Sequence, residues 1–228
     1  MLGDYLRGVT LILTAFVSIV SSSAGAQVAK LPRVDEAERD PSFLDFRTKL
    51  LKAAAQRDVE FLLAVTAPDI RVSFGDPESG IAPFLKMWKL ESPDSGFWDE
   101  LTQVLNLGGS FSSPDVFVAP YTFSTWPNAV DDFDYVAVTG DNVRVRETPS
   151  TDAAVLATLS FVIIAFERTS SYGRTDVDPP PTGWSRVRLA SGRIGYIAER
   201  FTRHPIDYRA YFARRNGEWK IVTFIGGD

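Results

Sequence analysis

The spacing of the apolar residues changes at about residue 134, and this change constrains the fold more than any other feature of the sequence. Before it, apolar residues recur at the spacing of one buried helix face: Phe43, Phe46, Leu50, Leu51 and Ala54. After it, short segments alternate between apolar and polar residues, as strands buried on one side do. The chain is therefore predicted to be an α+β protein, with a helix-rich part followed by an all-β part.

The helix-rich part is predicted to cover residues 42–133. Either Asp40 or Ser42 is expected to cap its first helix, and a second helix is expected over 58–66. The alternation of apolar residues over 70–74 predicts a strand. Three further elements follow from the pattern: short helices around 84–88 and 98–105, and a strand with irregular ends over 111–123.

The all-β part is predicted to cover residues 134–203. Val143 and Val145 alternate with Arg144 and Arg146, so the valines should point inward and the arginines outward. The other predicted features of this part are buried strands in the apolar run 156–166, a long loop with three consecutive prolines over 170–183, and a tight hairpin at Ser191-Gly192.

The last segment of the chain predicts a β-hairpin. Apolar residues alternate on both sides of Asn216-Gly217, the residue pair that a type I′ turn favours. Because isolated two-stranded hairpins are marginal in water, residues 206–228 are expected to complete the sheet of the helix-rich part. The alternative is two consecutive modules, with this hairpin as a separate tail.

The N-terminus predicts export. An apolar run over 9–20 is too short to cross a bilayer, and small residues follow it up to Ala24-Gly25-Ala26. This pattern is typical of a signal peptide, here residues 1–26, cleaved after Ala26. A periplasmic or secreted protein without stable membrane insertion is then expected, beginning with a flexible arm over 27–41. Because Asp4 accompanies Arg7 in the first residues, a retained anchor is the alternative.

The composition excludes several kinds of chemistry. The chain has no cysteine and a single histidine, which removes disulfides and thiol catalysis and argues against a zinc site, and no metal or cofactor is expected. The net charge is -5, which disfavours nucleic acid as a partner. Residues 27–133 contain 17 acidic and 10 basic side chains, whereas all nine basic residues of 134–203 are arginine. These arginines attract the acidic part of the chain, face an anionic ligand, or simply form a solvated surface.

Residues 134–203 resemble a bacterial SH3 domain. The resemblance is carried by 142–146 (Asn-Val-Arg-Val-Arg) with 148–150 (Thr-Pro-Ser), by 183–187 (Gly-Trp-Ser-Arg-Val), and by 191–197 (Ser-Gly-Arg-Ile-Gly-Tyr-Ile). The sequence departs from the family pattern in lacking the usual glycine after the strand that ends at Leu159, and in its long 170–183 loop. The resemblance implies a small all-β barrel that binds cell-wall peptides, glycans or partner proteins and has no catalytic residues of its own.

The remainder of the chain resembles the ketosteroid-isomerase-like cone fold, also called the nuclear transport factor type. Residues 217–222 (Gly-Glu-Trp-Lys-Ile-Val) carry this resemblance, together with the order of the helices and strands. It implies a curved antiparallel sheet formed by residues 42–133 and completed by 206–228. The SH3-like barrel would then be inserted before the final hairpin.

The predicted ligand site lies on the SH3-like part. It comprises outward arginines and two aromatic residues: Arg144, Arg146, Trp184, Arg186, Arg188, Arg193 and Tyr196. Guanidinium groups suit bidentate contact with carboxylates, and aromatic rings can stack on planar groups. The protein is therefore expected to be non-catalytic and to bind peptidoglycan or an envelope protein. The alternatives are that the two aromatic residues only pack the barrel, and that the arginines dock on the acidic part of the chain.

The alternative function is small-molecule binding or proton transfer in a cone-fold pocket. Such enzymes use pocket carboxylates and a tyrosine, and the candidates here are Asp69, Asp99, Glu100 and Tyr121. Two other polar features have simple interpretations. His204, before Pro205, is expected to be a linker residue, and the acidic run at 131–134 (Asp131, Asp132 and Asp134) is either a calcium site or a solvated connector.

Overall fold

A computed structural model of the protein describes residues 29–74, 79–167 and 182–227. The predicted signal peptide and most of the predicted 170–183 loop lie outside the described residues. The helices are α1 (Pro41–Gln56), α2 (Val59–Ala64), α3 (Ile81–Trp88), α4 (Phe97–Asn106) and α5 (Tyr121–Ser124), with short 3₁₀ helices at Ala37–Arg39 and Glu199–Phe201. Within the described ranges, none of these helices is long and apolar enough to span a bilayer.

The strands follow the same chain order. They are β1 (Ala29–Lys30), β2 (Thr66–Arg71), β3 (Ser110–Ser113), β4 (Val116–Ala119), β5 (Tyr135–Val138), β6 (Val143–Arg146), β7 (Val155–Leu159), β8 (Val162–Phe166), β9 (Trp184–Arg188), β10 (Ile194–Ala198), β11 (Thr202–Arg203), β12 (Arg209–Arg215) and β13 (Glu218–Ile225). The protein is thus mixed α+β, with two sheets that are mainly antiparallel.

One sheet belongs to a part of the chain that we call the helical unit, residues 41–124 together with 206–227. Its strand order is β2-β13-β12-β4-β3, so the final hairpin lies in the middle of the sheet. β12 pairs antiparallel with β4, whereas β13 pairs parallel with β2. The predicted sheet was antiparallel throughout. A parallel pair needs a long crossover connection. β2 and β13 can pair in parallel because everything from α3 to β12 lies between them in sequence.

Aromatic side chains fill the space between this sheet and its helices. Phe43, on the buried face of α1, stacks on Phe117 of β4 at a centroid distance of 4.2 Å. It also meets Trp219 of β13 edge to face at 5.0 Å. Phe97 and Phe224 form a second such contact at 5.1 Å. The interior of the helical unit is therefore packed with large side chains.

Several predicted boundaries shift in the structure. The second helix ends at Ala64, because Thr66 already begins β2. The strand predicted over 111–123 is instead the hairpin β3–β4 followed by α5. Pro114, which cannot donate to a sheet ladder, lies in the turn of that hairpin. The final turn is confirmed, since Asn216 and Gly217 have the positive φ angles, 53° and 84°, of a type I′ turn.

The other sheet forms what we call the β unit, residues 134–203. Its strand order is β11-β5-β8-β9-β10-β6-β7. No pairing joins the edge strands β7 and β11 within the described residues, so the predicted small barrel is not closed. β11 is only two residues long and pairs with β5 alone, which leaves the far edge open. The inner face of this sheet encloses one core: Val136, Val138, Val143, Val145, Val162, Ile164, Val187 and Ile197. Ala137 and Ile163 lie on the opposite face of β5 and β8 and are buried in a second, smaller cluster.

The described part of the predicted flexible arm is packed against both units. β1 pairs with β8 of the β unit, and Leu31 is buried beside Tyr121 of the helical unit. Glu36 then accepts a hydrogen bond from the backbone amide of Phe111 in β3 at 2.9 Å. Apolar contact and backbone pairing hold this segment, because its few apolar residues, Leu31 and Ala37, both reach a core.

Candidate functional site

A row of predicted site residues crosses three adjacent strands of the β unit. In the antiparallel register, Tyr196 of β10 lies opposite Arg146 of β6 on one side and opposite Arg186 of β9 on the other. Residues two apart on a strand share a face, so Arg144 and Trp184 extend this row on the same side. We call the surface formed by Arg144, Arg146, Trp184, Arg186 and Tyr196 the basic face.

The alternation of β6 explains why its arginines lie outside. Val143 and Val145 are buried in the core of the β unit, whereas Arg144 is exposed and Arg146 half-buried. The valines supply the apolar contact that anchors the strand, and the pleat turns the intervening side chains to the opposite face. The sequence prediction of inward valines and outward arginines is confirmed.

A groove of about 290 Å³ runs along one end of the basic face. Arg144, Arg146 and Trp184 line it together with Asp141 and Arg200. Arg200 follows β10 in the 3₁₀ helix and was not singled out in the sequence, where it is one of nine similar arginines. Its guanidinium lies 4.8 Å from the centroid of the Phe201 ring. The groove therefore combines three guanidinium groups with an indole ring.

The arginines of the basic face differ in whether their guanidinium donors have hydrogen-bond partners. Arg146 donates to the backbone oxygen of Ala153 at 2.7 Å. Arg144 has no hydrogen bond or ion pair to any residue in the described ranges. The Nε of Arg186 is buried and has no hydrogen-bond partner among the described residues. Because Arg144 is exposed and its donors are unpaired among the described residues, it is the arginine of the basic face with the most capacity to bind an anion.

The two remaining predicted residues lie at the end of the β9–β10 hairpin that is opposite the groove, and both are ion-paired. Arg188 is two residues from Arg186 on β9 and so shares its face. Arg188 donates through Nε to Glu167 at 2.5 Å. Arg193 lies 3.5 Å from Glu147, and both of these side chains are more than half exposed. The structure thus brings together five of the seven predicted residues and places Arg188 and Arg193 next to carboxylates of the same unit.

Docking between the units uses an arginine that the prediction did not include. Arg203 of β11 is buried, and its Nη2 donates to Glu100 of α4 at 2.5 Å and to the backbone oxygen of Tyr208 at 2.7 Å. Its Nη1 reaches the side chain of Gln103 at 3.4 Å. The uneven charge of the sequence was the one signal for such a contact, but it did not identify which arginine makes it.

The four candidates for a cone-fold pocket are not brought together. Asp69 forms a surface ion pair with Arg215 at 2.6 Å, and this hydrogen bond holds the pKa of Asp69 below its ordinary value. Asp99 is exposed in the first turn of α4, while Glu100 forms an ion pair with Arg203.

Tyr121, the fourth candidate, is fully buried, and burial raises its pKa to about 12. At neutral pH its hydroxyl stays protonated, so it is poorly matched to proton abstraction. Its surroundings are apolar residues of both units rather than the other three candidates.

The other polar features of the sequence have structural contacts. The Asp131 carboxylate accepts hydrogen bonds from the backbone amides of Phe133 and Asp134, which shapes a turn. The His204 ring meets Phe166 edge to face at 5.4 Å. Within the described residues, no group of three or more histidine, aspartate or glutamate side chains is arranged to hold a metal ion.

The chain was compared with models of protein families, with curated proteins and with solved structures. No family model, curated protein or solved structure matches it. The chemistry available at the basic face therefore has to be judged from its own geometry. Guanidinium groups with spare donors beside aromatic rings suit the binding of carboxylates and planar groups.

Proposed function

We propose that this protein is an exported, non-catalytic binding protein and that its β unit, an SH3-like module, recognises carboxylate-bearing cell-wall material through the basic face. The observation that carries the proposal is the register that aligns Arg146, Tyr196 and Arg186 across three strands. Arg144 and Trp184 flank this row along a groove of about 290 Å³. The packed aromatic interior of the helical unit also favours binding on a surface over chemistry in a cone-shaped pocket.

The geometry favours an anionic ligand over internal docking of these arginines. The polar contacts of Arg146, Arg188 and Arg193 all lie within the β unit. The contact with the acidic helical unit is made by Arg203 instead. Arg144 retains its donors for a ligand, and carboxylates of cell-wall peptides or of an envelope protein surface have the matching chemistry.

The test removes two of the three arginines of the groove, Arg144 and Arg146. The Arg144→Ala/Arg146→Ala variant should lose about tenfold in affinity for insoluble cell-wall material, because each lost contact is a charge-assisted hydrogen bond. Its Tm should fall by only about 2 to 4 °C, since Arg144 has no partner among the described residues and Arg146 loses one hydrogen bond to the Ala153 backbone oxygen. Retention on sedimented cell walls and thermal melting measure the two effects.

A matched control removes the same amount of positive charge from a different part of the protein. Arg39→Ala/Arg215→Ala removes two exposed arginines from outside the β unit and should leave retention unchanged. Unchanged retention in the Arg144→Ala/Arg146→Ala variant, together with a larger fall in Tm, would instead mean that these arginines stabilise the fold. Failure of the unchanged protein to bind cell walls would reject the proposal outright.

A further inference from the structure

A large cleft separates the two units on the side of α4. It has a volume of about 870 Å³ and lies between α4 and Gly226-Gly227 of the helical unit and the 3₁₀ helix of the β unit. A second cavity of about 400 Å³ adjoins it. The two cavities share the lining residues Gln103, Arg200, Thr202 and Arg203, so they are neighbours. Each of the two volumes is in the range of ligand-binding pockets, which run from about 300 to 1,000 Å³.

The floor of the cleft is held by the buried Arg203. Its contacts with Glu100, Gln103 and the Tyr208 backbone join both units at this point. Arg203 has a side-chain exposure of only 7%. Because Nη1 and Nη2 already donate within the protein and Nε is buried, Arg203 fixes the shape of the cleft rather than offering a contact to a ligand.

The walls of the cleft carry carboxylates. Glu199 is exposed, and its side chain has no hydrogen bond or ion pair to any described residue. Asp207 accepts a hydrogen bond from the backbone amide of His204 at 2.8 Å and lies 3.7 Å from the Nε of Arg203. Both residues line the same cavity. An uncommitted carboxylate beside a second, partly neutralised one suits a cationic group such as an amine.

Arg200 connects this cleft to the basic face. It lines the cleft, the adjoining cavity and the groove that contains Arg144, Arg146 and Trp184. Ala198 lines both the cleft and the groove as well. An extended ligand can therefore pass from the groove to the cleft over one side chain, moving from guanidinium groups to carboxylates.

We propose that the inter-unit cleft binds the amine-bearing part of the same peptide whose carboxylates occupy the basic face. This inference rests on the proposed function and adds the ligand's charge pattern: a peptide with carboxylates at one end and a free amine some residues away. Glu199 is the contact for the amine, and Arg200 bridges the two halves of the site. The helical unit thus shapes half of the binding site.

Two synthetic peptides test the proposal with the full chain. Both have the sequence Lys-Ala-Ala-Glu with an acetylated N-terminus, which places the lysine amine at one end and two carboxylates at the other, and one also has its lysine amine acetylated. The free-amine peptide should bind about five- to tenfold more tightly, because it alone makes the charge-assisted contact in the cleft. Calorimetric titration at low salt measures both affinities, since exposed charges are screened at high salt.

The Glu199→Gln variant should bring the ratio of the two affinities close to one, because it removes the charge and keeps the shape. The matched Glu218→Gln variant neutralises an exposed carboxylate of β13 and should keep the ratio. A ratio that Glu199→Gln leaves unchanged would overturn the cleft assignment.

The groove variant separates this inference from the proposed function. Arg144→Ala/Arg146→Ala should weaken both peptides equally and preserve their ratio. If the groove variant weakens the binding of neither peptide while Glu199→Gln still alters the ratio of their affinities, the basic face is not the carboxylate site. The cleft then binds the amine without it. If neither peptide binds the unchanged protein, both proposals fail.

Discussion

At the scale of single residues, a few polar side chains join elements that are far apart in sequence. Asp40 caps α1 by accepting hydrogen bonds from the amides of Ser42 and Phe43, at 2.8 and 3.1 Å. The same carboxylate pairs with Arg214 of β12. The Ser42 hydroxyl accepts a hydrogen bond from the Trp219 indole at 3.0 Å. The start of α1 is therefore tied to the final hairpin by one small polar cluster.

Replacing Asp40 tests how much this cluster stabilises the helical unit. Asp40→Ala should lower the free energy of unfolding by about 1 to 2 kcal/mol, the range for loss of a helix N-cap. Asp40→Asn keeps an oxygen that can cap the helix but loses the charge next to Arg214, so its loss should be smaller. Urea denaturation measures both, and equal losses would show that the ion pair, and not the cap, carries the effect.

The stability difference between the unchanged protein and Asp40→Asn depends on pH, and this dependence follows from the pKa of Asp40. The Ser42 hydroxyl, the backbone amides of Phe43 and Ser42, and the charge of Arg214 lower this pKa below the ordinary value of 3.8. The carboxylate therefore contributes its full stability above pH 3.8 and loses it as the pH falls through the lowered folded-state value. The stability difference between the unchanged protein and Asp40→Asn should shrink only in that acid range.

At the scale of elements, the final hairpin is the centre of the helical unit. β12 and β13 lie between β4 and β2, so they supply the pairing partner on each side. Phe212, Trp219, Ile221 and Phe224 project from this hairpin into the aromatic core. The helices and strands before residue 134 can thus form their sheet only after the last residues of the chain have joined it.

A chain that ends at His204 should consequently lose the cooperative melting of the helical unit. It lacks the two central strands and several fully buried aromatic rings, and each such ring contributes about 3 kcal/mol or more. The β unit keeps all of its own strands and should retain its β-sheet circular dichroism. Calorimetry measures the transitions, and a melting profile equal to that of the full chain would contradict the pairing seen here.

At the scale of the whole molecule, three sets of contacts among the described residues hold the units together. The segment from Ala29 to Arg39 pairs with β8 and then bonds to the helical unit. Leu31, Tyr121, Ala137 and Ile163 form a small apolar cluster between the units. The third contact is the buried pair of Arg203 and Glu100, with side-chain exposures of 7% and 22%.

A double-mutant cycle tests the Arg203–Glu100 contact. The single variants Arg203→Ala and Glu100→Ala and the double variant should give a coupling energy of about 1 to 3 kcal/mol, because the pair is largely shielded from water. The matched pair Lys49 and Asp45, each at least 60% exposed on α1, should give about 0.5 kcal/mol or less. Unfolding in urea measures both cycles, and equal coupling energies would show that the inter-unit pair is no stronger than a surface pair.

Local patterns predicted much of the secondary structure and the orientation of its side chains. α1 buries Phe43, Phe46 and Leu50 as their spacing indicates, and Asn216-Gly217 forms the expected turn. The inward valines of β6 are likewise a local consequence of alternation. The α+β class and the outward arginines could be read from the sequence because they depend on neighbours within a few residues.

The tertiary structure alone decided which of these elements meet. Nothing local indicates that β13 runs parallel to β2, that Arg203 rather than another arginine is buried on Glu100, or that the predicted barrel stays open. The same holds for the alignment of Arg146, Tyr196 and Arg186, which depends on the register of three strands. The physical reason is that periodicity determines the faces of a strand, whereas pairing and register arise from the summed burial and hydrogen bonding of residues distant in the chain.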